Sequence, residues 1–228
     1  MEQVSLSTIV EDLLLIVRGS RLANSEVLSK RQIESWINQY RAVLLRQSVS
    51  NGDVVNPDYI QTIPSVELVP VDAAGEISNI ETGSIIYRTK EKIPNTINLK
   101  YMSGITFVGT LNRKRIQLVP SHRAEFQLYK KFTASETLAY LEDGYVFVIN
   151  PFGLRYITIR GIAEVPSDWA SFTNTTMTAQ DFNMNSKYPI PINILPALKQ
   201  LILEREIGIE SVAPGDISND SKHNPEQK

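Results

Sequence analysis

The chain contains no cysteine. That excludes disulfide staples, thiolate nucleophiles and Cys-ligated zinc, and it permits a reducing compartment. Histidine is nearly as scarce. His122 falls in the first turn of a short predicted helix and His223 in a polar tail, and neither has a second His or a suitably spaced carboxylate to complete a metal site. Both read as surface residues, and no cofactor is expected. Long apolar runs are missing as well: the longest, 13–17, falls far short of the roughly 20 residues that span a bilayer. The opening residues lack a basic stretch, an apolar core and a small-residue cleavage site, so a soluble chain without a secretory leader is expected. There is no Gly-x-Ser-x-Gly elbow, no phosphate-cradling glycine loop and no HExxH helix. Neither sign of charge dominates. With 23 basic and 25 acidic side chains the net charge is −2, so any contact with nucleic acid must be local.

What remains is an ordinary globular composition of 228 residues, 42% hydrophobic and 21% charged, enough for a sizeable core in one or two domains. Thr8 and Glu11 read as a capping box, followed by Ile9, Val10 and the run 13–17, with Gly19 as a left-handed stop. These apolar positions cover most of the helix circumference, so neighbours are needed on more than one side. A second capping box, Ser29 with Gln32, opens a stronger helix, with Leu28 stapling onto Ile33. Ile33, Trp36, Ile37, Tyr40 and Leu44 form its inner face, while Glu34, Asn38, Arg41 and Arg46 take the outer one. The spacing predicts helices over 8–18 and 30–47.

From residue 59 to 165 the period changes to two. Short runs at 66–71, 84–89, 97–101, 105–109, 115–119, 137–142, 145–149 and 154–165 are bounded by Gly, Pro or Asn, as strands are. Asp143-Gly144 between two of them is a tight hairpin turn, because both residues tolerate positive φ. A short helix over 121–132 interrupts the strands, with Leu128, Tyr129 and Phe132 as its inward residues. Residues 166–191 read as a long loop. A third helix, 193–207, precedes a Ser/Asn/Asp-rich tail that has too little apolar content to order itself. The expected fold is α+β, with terminal helices in a small bundle, an inserted and mostly antiparallel β domain, and a polar C-terminal tail. Its segments are 1–52, 53–190 and 191–228. Three short helices make a thin bundle, so neighbouring copies would supply the missing cover.

The search for chemistry returns surfaces rather than a reactive constellation. Glu142 and Asp143 lie in a turn, where they cannot face each other across a cleft as a glycosidase pair must. A separated pair such as Glu67 and Asp168 is left open by sequence alone. Arg113, Lys114 and Arg115 form the densest charge cluster, at a strand-to-strand turn, and are candidates for contact with a DNA backbone. Trp36 and Tyr40, one helical turn apart, read as core packing or an interface hot spot. Candidate subunit or partner contacts are Ile194, Leu198, Leu201, Ile202, Arg205, Ile209 and Ile217.

The segments 9–19 (IVEDLLLIVRG) and 28–42 (LSKRQIESWINQYRA) resemble the N-terminal helix pair of ring proteins from crAss-like phages of Bacteroides. The layout is also similar to head-to-tail adaptors of short-tailed phages. That resemblance implies a virion protein without catalysis: a ring of identical subunits, twelve by analogy, beneath a portal protein and next to further tail or ring proteins, with DNA passing through the lumen. The alternative from another class is a carbohydrate- or receptor-binding β module, for which Tyr87, Tyr101, Tyr140 and Tyr145 would supply the platform.

Overall fold

The computed structural model describes residues 4–19, 29–71, 86–100, 103–124, 126–151, 153–172 and 185–208. Helix α1 (Leu6–Gly19) starts two residues before the position expected, because Ser5 is the residue that caps it. The Thr8 amide donates to Ser5 Oγ at 3.2 Å, which puts Thr8 inside the first turn. Helix α2 (Lys30–Ser50) begins where Ser29 predicts, with the Gln32 amide donating to Ser29 Oγ at 3.2 Å. It runs on to Asn51, and Gly52 leaves with φ 93°. Leu28 lies outside the described residues.

Seven strands follow: β1 (Gln61–Pro70), β2 (Ile86–Thr89), β3 (Ile105–Gly109), β4 (Arg115–Leu118), β5 (Leu138–Glu142), β6 (Tyr145–Ile149) and β7 (Tyr156–Gly161). They close into a barrel in the order β1-β2-β6-β5-β4-β3-β7. Every pairing is antiparallel except β4 with β5. Closure depends on the long β1, which pairs with β7 through Gln61–Glu67 and with β2 through Leu68–Pro70, with a register shift between Ile63 and Val66. The register shift lies at Pro64, whose missing N–H suits a bulge better than a ladder. The Asp143-Gly144 turn has φ 49° and 82°, as the tight hairpin requires. The predicted strand over 97–101 is not one: Thr96 makes only an isolated bridge to Ala163, while Ile97 and Leu99 are buried in the helical core. Helix α4 (Pro166–Ser171) occupies the start of the expected loop.

The barrel interior is filled by Ile63, Val66, Leu68, Val108, Ile116, Ala139, Val146, Val148, Ile157 and Ile159. Trp169 of α4 is buried in the same core and donates its indole N–H to Pro94 O at 3.3 Å. Space for that ring comes from Gly161, where a Cβ would sit 2.7 Å from Trp169 Cη2 and 2.8 Å from Gly104 O.

A second core lies against the same end of the barrel. Ile9, Val10 and Leu13 of α1, Ile33, Ile37, Tyr40 and Leu45 of α2, and Leu195, Leu198 and Ile202 of α5 (Leu195–Ile202) share it with Ile97, Leu99, Ile162 and Tyr188. Pro191 and a 3-10 turn at Ile192–Ile194 lead into α5, which continues as a π-turn at Leu203–Ile207 and ends on Gly208 with φ 70°. Side-chain bonds lock these helices together. Lys199 pairs with Asp12 at 2.6 Å, and the Tyr40 hydroxyl donates to Glu206 at 2.6 Å.

Candidate assembly surfaces

The two cores meet at Arg41. Helical periodicity assigns this residue to the solvent face of α2, yet its relative exposure is 0%. Its guanidinium donates to Ala163 O, just beyond β7, and to Pro189 O at 3.2 Å, and lies 5.7 Å from the Tyr188 ring centroid. Burial depresses the Arg41 pKa and raises that of Tyr188 to about 12. Asn38, also assigned outward, is half-buried and accepts from the Tyr188 hydroxyl at 2.7 Å. Both corrections have one cause. The segment 185–191 and the end of β7 lie across α2, a long-range event that the helix's own periodicity cannot register. Trp36 and Tyr40 pack in this helical core, and neither forms a free patch.

Of the α5 residues, Leu198 and Ile202 are fully buried within the chain, Ile194 and Leu201 are half-buried, and Arg205 is exposed. Ile209 and Ile217 lie outside the described residues, as do Tyr101 and His223. On the β5–β6 face Tyr140 stacks on Phe147 with centroids 5.0 Å apart, and Tyr145 meets Phe147 edge-on at 6.5 Å. The Arg88 guanidinium sits 4.1 Å from the Tyr145 centroid. Tyr87 packs against the barrel core and takes no part in this platform. Glu67 is paired with Lys90 at 3.0 Å, Asp168 sits in the first turn of α4, and His122 is exposed.

The end of the barrel remote from the helices carries the most exposed chemistry. Arg113, Lys114 and Arg115 are all exposed at the β3–β4 turn, where Arg113 has φ 64°. The turn is held by the Thr110 amide donating to Lys114 O at 2.9 Å and the Arg113 amide donating to Thr110 O at 2.8 Å. Beside it β4 and β5 pair only through Gln117–Leu138 and Leu118–Ala139, so their starts splay apart. The resulting groove of about 540 Å³ is lined by Ile116, Leu138, Pro151 and Leu154 among others, with Lys114, Arg115 and Glu136 also on its wall.

Residues 121–132 correct another expectation. The segment is a single turn, α3 (Ser121–Ala124), followed by a 3-10 turn at Gln127–Tyr129. Tyr129 and Phe132, expected inward, are 85% and 87% exposed, and Phe126 is 64% exposed; the Leu128 side chain lies outside the described residues. The inward residue is polar: Gln127 is fully buried and donates to Thr133 O. The Asn150 amide holds Ala134 O at 2.8 Å, and the Thr137 hydroxyl holds Asn150 O at 2.7 Å. Backbone carbonyls thus capture the Gln127 and Asn150 side chains, which turns the aromatic residues outward. No helical period records that arrangement.

Among the described residues no cluster of three or more His, Asp or Glu is placed to hold a metal ion, and no helix is long and apolar enough to cross a membrane. A comparison with protein families finds that the model for phage tail ring protein 2 matches residues 8–227. No curated protein matches the chain.

Proposed function

This chain belongs to the ring proteins of crAss-like phages, through its match to phage tail ring protein 2, and from that premise we propose that it is a structural, non-catalytic subunit of the head-to-tail connector. Identical copies close into a ring, twelve by the analogy with related adaptors. The ring joins the portal to the next tail component and encloses the channel through which DNA passes. The observation that carries this reading is the family match over nearly the whole chain, together with chemistry that is concentrated on surfaces. Half-buried Ile194 and Leu201 and exposed Arg205 offer contacts from α5, while buried Leu198 and Ile202 hold that helix in place. Arg113 at the β3–β4 turn supplies a cation for passing phosphates, an interaction that weakens as salt rises. Native mass spectrometry of the purified chain tests the proposal: a discrete closed-ring mass supports it, and a persistent monomer at assembly concentrations overturns it.

A second reading rests on the Tyr140–Phe147–Tyr145 ladder with Arg88 beside it, an arrangement on which sugar rings stack. It requires a monomer with measurable glycan affinity, and substitution Tyr140→Ala must abolish that affinity.

A further inference from the structure

The two ends of the molecule are chemically unlike, and a ring needs such a difference. Closed rings of more than two copies use heterologous contacts, in which one patch of a subunit meets a different patch of the next. At the helical end, α5 and its π-turn finish on Gly208, anchored by the bond from Tyr40 to Glu206. Arg41, the next residue of α2, reaches Ala163 beyond the end of β7. The β4–β5 groove opens at the other end, near Arg155 at the start of β7. From Ala163 to Arg155 a strand rise of ~3.3 Å per residue makes about 26 Å.

Beyond Gly208 the chain continues for residues 209–228, which carry Ile209, Val212 and Ile217 together with Glu210, Asp216, Asp220 and Glu226, against only Lys222 and Lys228. The groove is the complement of this segment. Its apolar lining is Ile116, Leu138, Pro151 and Leu154, and Lys114 and Arg115 stand on its wall against a single carboxylate, Glu136. The adjoining lobe presents Tyr129 and Phe132 beside exposed Lys130 and Lys131. Among the described ion pairs none neutralises these four cations. Reach argues against seating the whole segment within one copy: Val212 lies four residues past Gly208, about 14 Å at full extension and roughly half the distance between the two ends. Although Ile217 can span about 32 Å, Val212 and Ile217 cannot both lie in their own groove.

We propose that residues 209–228 of one copy dock in the β4–β5 groove of the next, with Val212 and Ile217 on the apolar floor and the tail's carboxylates against Lys114, Arg115, Lys130 and Lys131. The helical end of each subunit then faces the barrel mouth of its neighbour, which gives the ring its direction. This inference rests on the ring reading above. It also divides the basic triplet, with Arg113 left at the turn while Lys114 and Arg115 serve the groove.

The cysteine-free background makes the test clean. Full-length Leu154→Cys and Ile217→Cys variants are prepared separately, one of them tagged, then mixed and oxidised, and native mass is measured on the same samples. The expected result is a disulfide between tagged and untagged chains, formed at least tenfold faster than in either variant alone. The double variant should give a covalent ladder up to the ring, and adding Lys114→Glu with Arg115→Glu should slow cross-linking at least fivefold. Cross-linking of Ile217→Cys to Leu111→Cys at the same rate as to Leu154→Cys overturns the proposal, as does an intramolecular disulfide in the double variant. A ring mass without cross-linking overturns the tail docking and leaves the ring; a monomer without cross-linking removes both.

Discussion

Replacing Arg41 with Met keeps an unbranched stem of similar length and removes only the guanidinium. Two buried carbonyls, Ala163 O and Pro189 O, then lose their side-chain donor. Each orphaned acceptor costs about 1–3 kcal/mol, and the contact with the Tyr188 ring is worth up to about 2 more when desolvated. Against this, the folded protein no longer pays to strip water from a cation, which returns part of the loss. The net expectation is destabilisation by about 3 kcal/mol. At ~2–4 °C per kcal/mol for a chain of this size, the melting temperature should fall by roughly 6–12 °C. Arg41→Lys should fall between, because one ammonium cannot fork between carbonyls on two separate segments. Thermal unfolding followed by far-ultraviolet circular dichroism measures both. Since Arg41 joins the helical core to the barrel end, the Met variant should also unfold over a broader transition. A melting temperature within 2 °C of the unsubstituted protein, or a higher one, would refute the claim that this cation holds the two layers together.

Alkaline pH should destabilise the fold. Burial raises the Tyr188 pKa from 10.0 to about 12, so its contribution is intact below about pH 10 and is lost as pH rises toward 12. Two units correspond to about 3 kcal/mol, and urea midpoints between pH 9 and 12 should flatten in Tyr188→Phe. Gly161→Ala drives a methyl group into Trp169 and Gly104 O and should cost about 1–3 kcal/mol, read as a lower urea midpoint. Deleting 213–228 should leave the melting temperature of the monomer within about 2 °C while weakening incorporation into particles at limiting concentration, because ordering a polar segment needs partner contacts to offset it. Alanine at His122, or at Glu142 and Asp143 together, should leave assembly unchanged in a particle-yield assay.

Local physical chemistry made parts of this protein legible. Ser29 is bound to cap a helix because its hydroxyl can reach the Gln32 amide, and Asp143-Gly144 is bound to turn because both residues accept positive φ. Alternating periods located the hairpin β5–β6 and strand β3. The resemblance carried by 9–19 and 28–42 agrees with the family match over 8–227.

Tertiary structure decided the rest, wherever a residue's partner is distant in the chain. Barrel closure depends on β1 pairing with β7, nearly a hundred positions away, and no local pattern encodes such a partner. Arg41 looks like a solvent-facing charge until Ala163 and Pro189 turn their carbonyls toward it. Tyr129 and Phe132 look like core residues until Gln127 and Asn150 take up the backbone bonds beneath them. The groove beside Lys114 and Arg115 lies where β4 and β5, twenty residues apart, are not yet paired, ahead of their two paired positions. Periodicity reports which face of a segment is apolar, but what covers that face, and what covers the opposite one, is set by packing free energy summed over the whole chain.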